Sequence, residues 1–143
     1  MNQGKLFYIG IMLSILLLVS GCGTSKQETF PALPDQQAES IIISNGIMGV
    51  DLPQEKDEAT IKELQDLVKK IDYIEKDETE IIGGYYGVTF VYQNSSISYS
   101  FLRNDYVAVK VDQGENVQYR IGTENGTAIY NYLQEYVNVR AED

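Results

Sequence analysis

The chain has 143 residues, a pI near 4.4 and a formal net charge of −10, with 21 acidic against 11 basic side chains. A surface this acidic is repelled by nucleic-acid phosphates and anionic lipid head groups, which argues against DNA or RNA as a partner. The sequence has no His and no Trp, so the commonest general base, the usual zinc ligand and the Ser-His-Asp arrangement are missing, and its one cysteine has no partner for an internal disulfide.

Residues 1–5 are short and polar, with Lys5 the one positive charge, and residues 6–19 are apolar except for Gly10 and Ser14. That run is shorter than the roughly 20 residues that cross a bilayer as a helix. It fits the apolar core of a secretory signal, with the small residues Ser20 and Gly21 at the cut site. Val19-Ser20-Gly21-Cys22 resembles a bacterial lipobox: a branched aliphatic residue, a small residue, Gly or Ala, then Cys. Resemblance to the bacterial lipoproteins implies cleavage between Gly21 and Cys22, loss of a signal peptide over 1–21, and a diacylglyceryl (palmitate-type) thioether on Cys22. It also implies that the mature chain sits on the cell membrane, facing away from the cytoplasm. Two plainer accounts compete: an uncleaved N-terminal anchor with an incidental cysteine, and a signal cut by the general peptidase that leaves a free thiol. The length of the apolar run, the small residues and the lack of any second cysteine favour the lipoprotein. One acyl chain binds a membrane marginally, whereas two hold it stably. Gly23 stands where an Asp would retain a Gram-negative lipoprotein at the inner membrane, and the composition favours a Gram-positive host. Cleavage would leave ten basic and 21 acidic side chains, a net charge of −11.

Residues 22–39 read as a flexible tether containing Pro31 and Pro34, with Phe30 and Leu33 its only large apolar residues. A single domain over 40–139 follows, with a short tail over 140–143. Ile41-Ile42-Ile43 and the apolar residues of 47–52 flank Asn45-Gly46, the strongest short hairpin signal. Ile61, Leu64, Leu67, Val68 and Ile71 recur at helical spacing, with Lys62, Glu63, Asp66, Lys69 and Lys70 on the wet face. Thr60 with Glu63 offers a capping box, and Asp57 competes as N-cap. Residues 85–121 alternate apolar and polar in four runs separated by Asn94-Ser95, Asn104-Asp105 and residues 113–116, which predicts an antiparallel meander. A last helix, capped by Thr123 or Asn125, presents Ile129, Tyr132, Leu133, Tyr136 and Val137 on one side. The predicted class is α+β, an antiparallel meander with two amphipathic helices packed on one face. This order, with Gly84-Tyr85-Tyr86 leading into Phe90 and Tyr92, resembles small extracellular domains of Gram-positive lipoproteins, and that resemblance implies fold and location, not an activity.

Six tyrosines fall in or near the meander. Of these, Tyr85, Tyr86, Tyr92, Tyr99 and Tyr106 are the candidate interaction surface, because Tyr combines apolar area with a polar tip. The plainer account is that Tyr is a good strand residue. The carboxylates of 72–80 and 112–116 lack the spacing of a dedicated calcium loop and read as a solvated charge run and a turn, so no metal and no cofactor is expected. Gly83-Gly84 reads as a bulge or loose approach to the meander. The sequons at Asn94 and Asn125 carry no weight in a bacterial lipoprotein. No Ser-x-x-Lys, Gly-x-Ser-x-Gly or phosphate-binding Gly-Lys-Ser/Thr motif occurs. The leading expectation is a membrane-anchored, non-catalytic interaction module for an envelope protein, wall polymer or peptide. The alternative is a lipoprotein whose signal peptide, including 15–21, is released as a pheromone-like peptide. A small enzyme is the third reading.

Overall fold

The computed structural model describes residues 30–79 and 83–140. Gly21, Cys22 and the expected signal peptide over 1–21 lie outside the described residues. The chain forms seven strands and two helices among the described residues. They are β1 (Ser40–Asn45), β2 (Val50–Asp51), α1 (Glu58–Lys69), β3 (Tyr73–Lys76), β4 (Tyr86–Val91), β5 (Ser96–Arg103), β6 (Tyr106–Val111), β7 (Val117–Ile121) and α2 (Thr123–Arg140). All pairings are antiparallel and the order across the sheet is β2-β1-β4-β5-β6-β7-β3. This is an α+β meander, as the alternation predicted.

Side-chain alternation gives the sheet two unlike faces. Ile41, Ile43, Val88, Phe90, Ile97, Tyr99, Phe101, Val107, Val109, Tyr119 and Ile121 are buried on one face. The register aligns them across strands: Ile41 with Phe90 with Ile97, Ile43 with Val88 with Tyr99 with Val109. Their chain neighbours Ser44, Thr89, Ser98, Ser100 and Lys110 occupy the other, wet face. One-sided burial of this kind is what period-two patterning encodes.

Both helices cover the apolar face. α1 starts at Asp57, whose Oδ2 accepts from Thr60 N and Oγ1 at 2.9 and 2.8 Å, so Asp57 rather than the Thr60–Glu63 box is the cap. Ile61, Leu64, Gln65 and Val68 point inward. α2 buries Gly126, Ile129, Leu133 and Val137, and the Tyr130 ring meets Tyr86 edge-on at 5.1 Å. Asn125 does not close its own helix end. Its amide instead donates to Lys70 O, tying the start of α2 to the end of α1.

Two departures from the sequence expectations matter for function. The tether does not run to residue 39. Leu33 and Ala38 are buried in the core, and the Phe30 ring sits 5.2 Å from Tyr119, 5.8 Å from Tyr73 and 6.0 Å from Tyr99. Polar bonds hold this strap: Tyr99 Oη donates to Pro31 O at 2.8 Å, Gln65 Nε2 to Gln36 O at 3.2 Å, and Ala38 N to Gln65 Oε1 at 3.3 Å. The strap fills inner-face surface next to the area that the helices cover, which explains why Phe30 and Leu33 stand in an otherwise polar stretch. Second, the charge run over 72–80 contains a strand. β3 pairs with β7 through Tyr73–Ile121 and Lys76–Tyr119, and Gln118 Nε2 donates to Thr79 O at 2.8 Å.

Candidate functional site

The five tyrosines do not form one surface. Tyr86, Tyr92 and Tyr99 belong to the core, with 6 %, 4 % and 0 % of their area exposed. Burial pushes the Tyr99 hydroxyl well above its usual pKa, and that hydroxyl is spent on the strap carbonyl. Tyr92 Oη accepts from Gln65 Nε2 at 3.2 Å. Period two explains the outcome, since Tyr86, Val88, Phe90 and Tyr92 share one side of the chain and that side is buried. Only Tyr85 and Tyr106 keep part of their surface in water. Tyr85 lies over the backbone of Gly46, where an added Cβ would fall 2.3 Å from the ring, and it also neighbours Gly87. Tyr106 stands under the Arg103 guanidinium, 5.2 Å from the ring centroid. β5 lies between these two rings, so the proposed surface reduces to single residues.

The outer face holds a different assembly. Ser44, Asp51, Tyr85, Thr89, Ser98 and Lys110 are among the residues lining a shallow depression of about 270 Å³. Ser44 Oγ donates to Asp51 Oδ1 at 2.6 Å, and the Thr89 and Ser98 hydroxyls share a 2.8 Å hydrogen bond. Next to it, Ile47 and Met48 of the β1–β2 turn and Val50, the first residue of β2, are 58 %, 71 % and 49 % exposed. The sequence assigned Ile47 and Met48 to a strand following Asn45-Gly46. In the structure the turn spans 46–49, because Asn45 Oδ1 accepts from both Ile47 N and Met48 N at 3.2 Å, and Gly49 takes a left-handed φ of 67° that ends the turn. The backbone therefore lifts Ile47 and Met48 into solvent instead of pairing them. Gly49, four residues after Asn45, was the signal for a longer loop. Apolar tip and polar depression share Ser44, Asp51 and Tyr85 as neighbours, and together form the candidate binding face.

The carboxylate-rich segments do other work. Asp112, at a φ of 50°, accepts Ser96 N–H at 2.7 Å through Oδ1 and closes a turn. Among the described residues, no three acidic, His or Cys side chains converge as a metal site, and no helix is long and apolar enough to cross a membrane. A second polar cluster joins α2 to the segment after β2. Glu55 Oε2 accepts from Arg140 Nη2 at 2.7 Å and from Tyr136 Oη at 2.8 Å, while Oε1 accepts the Lys56 and Asp57 N–H groups. The Asp57 N–H, then the Tyr136 hydroxyl, the Lys56 N–H and Arg140 hold the Glu55 carboxyl below its ordinary pKa. Nearby, desolvation and the Glu63 charge push Tyr132 up to about 12.

The sign for stability follows from that depression. Ionised Glu55 stabilises the fold at neutral pH, and its contribution is lost as pH falls through the folded-state pKa. Glu55→Gln should be less stable than wild type at pH 7, with the gap closing below about pH 4, in the carboxylate range. Urea melts across a pH series test this. A gap that stays constant down to acid pH contradicts the role of the charge.

No protein-family model, curated protein or solved structure matches the chain.

Proposed function

We propose that this chain is a membrane-anchored extracytoplasmic lipoprotein whose domain serves as a non-catalytic interaction module of the cell envelope. The observation that carries the anchor is Val19-Ser20-Gly21-Cys22 behind an apolar run of signal length. The interaction role is supported by Ile47, Met48 and Val50, which stand in solvent beside a hydroxyl-lined depression. Exposed apolar residues rimmed by polar groups are the usual composition of a contact surface. An extended peptide or an envelope protein would lay an apolar side chain against Met48 while its polar groups meet Ser44, Asp51 and Lys110.

Two measurements separate anchor from interaction. Cells fed a clickable fatty acid should label the wild-type chain and leave Cys22→Ala unlabelled, because the thioether needs the sulfur. Equal labelling refutes the anchor. Affinity capture with the intact anchored chain should recover an envelope partner that is lost with Met48→Asp, a substitution at an exposed site that should change stability by less than about 0.5 kcal/mol. Undiminished capture by that variant removes the turn from the contact.

A further inference from the structure

The strap alters the geometry of the anchor. Phe30 is already seated against Tyr73, Tyr119 and Tyr99, so eight residues of chain separate Cys22 from this contact. Eight residues span at most ~26–29 Å when fully extended. The attachment point on the domain is not central. The three rings around Phe30 belong to β3 and β7, the two strands at one edge of the sheet, and to the central strand β5. The β1–β2 hairpin forms the opposite edge, and six strand spacings separate the two outer strands by about 29 Å.

The edge nearest the anchor has a composition suited to a lipid interface. Tyr73 is 37 % exposed and Ile74 50 % exposed, on opposite faces of the same edge strand. Tyr73 stacks on Phe30, so an aromatic pair and an aliphatic side chain stand where the chain departs for the membrane. Tyrosine at such a boundary sits with its ring at head-group level. At this edge Arg120 pairs with Glu75 at 2.8 Å.

We infer that the β3 edge, with Tyr73, Ile74 and Phe30, is the face that rests on the lipid surface, holding the domain edge-on with the β1–β2 hairpin on the side of the sheet remote from the membrane. The inference rests on the proposed lipidation of Cys22. It leaves Ile47 and Met48, at the far side of the sheet, open to a partner.

The chain has no Trp, so a single introduced Trp is an unambiguous reporter. Lipidated full-length Tyr73→Trp and Met48→Trp are reconstituted in phosphatidylcholine vesicles with and without brominated acyl chains. Tyr73→Trp should shift its emission to the blue on vesicles and lose intensity to bromine, while Met48→Trp should do neither. Ile74→Trp, at a more exposed site, repeats the measurement if Tyr73→Trp disturbs the fold. If the Tyr73→Trp chain floats with the vesicles yet its indole stays unquenched, the orientation alone is overturned, as it is by quenching confined to Met48→Trp. An indole in Tyr73→Trp that is shielded from water without bromine quenching, together with a doubled mass, overturns it in favour of edge-to-edge pairing of two copies. Failure to float overturns the anchor, and the orientation with it.

Discussion

Leu64→Ala should destabilise the domain by about 2–5 kcal/mol, the range for truncating a fully buried leucine. Leu64 has no exposed surface and sits on the inward side of α1 with Ile61 and Val68. The cost combines lost transfer free energy with the cavity left between helix and sheet. Lys62 is the contrast on the same helix. Its ammonium meets Asp66 Oδ2 at 2.7 Å, but the two side chains are 70 % and 51 % exposed. Such a pair contributes about 0.3–0.5 kcal/mol, so Lys62→Ala should stay within about 0.5 kcal/mol of wild type. Urea melts of both variants decide between two uses of the stripe. A mild Leu64→Ala would mean that α1 detaches easily and offers its apolar side to a partner. A large loss means that the stripe is structural and that contacts must be sought elsewhere.

What the sequence revealed tracks how local each determinant is. The meander and both helices were legible because periods of 2 and 3.6 record burial directly, and Asp57 was visible as a competing cap. β3 was not legible. All four of its residues are exposed, so it carries no alternation, and its strand character comes from pairing with β7, a partner more than 40 residues away. The strap escaped for a related reason. Phe30 and Leu33 were noted as the apolar residues of a polar stretch, but nothing local says that Tyr99, 68 positions from Pro31, offers its hydroxyl to that backbone. The tyrosine surface failed where the alternation it was read from applied to it: Tyr86, Tyr92 and Tyr99 lie in register with the buried valines and phenylalanines. The exposed turn was half legible. Asn45-Gly46 announced a reversal, and only the left-handed Gly49 shows that the reversal takes four residues and leaves Ile47 and Met48 outside the sheet.

Gly126→Val should lower stability by about 3 kcal/mol, the upper end of the range for overpacking. Helix propensity alone argues the other way, since a glycine within a helix costs about 1 kcal/mol relative to alanine. Packing reverses the sign. Gly126 is buried in the first turns of α2, and a Cβ there would lie 1.9 Å from the carbonyl oxygen of Asn104, with Ile121 Cδ1 at 3.2 Å. The obstacle is backbone in the β5–β6 turn, so no side-chain rotation relieves it. Either α2 moves off the sheet or the turn carrying Asn104 moves, and the Asn104 Nδ2 to Thr127 Oγ1 hydrogen bond at 3.2 Å is strained with it. Asn131→Ala, at an exposed position of the same helix, provides the reference and should be neutral or stabilising by a few tenths of a kcal/mol. Thermal melts of the two variants read the difference directly. A Gly126→Val domain as stable as wild type would show that α2 and the β5–β6 turn are not in close contact.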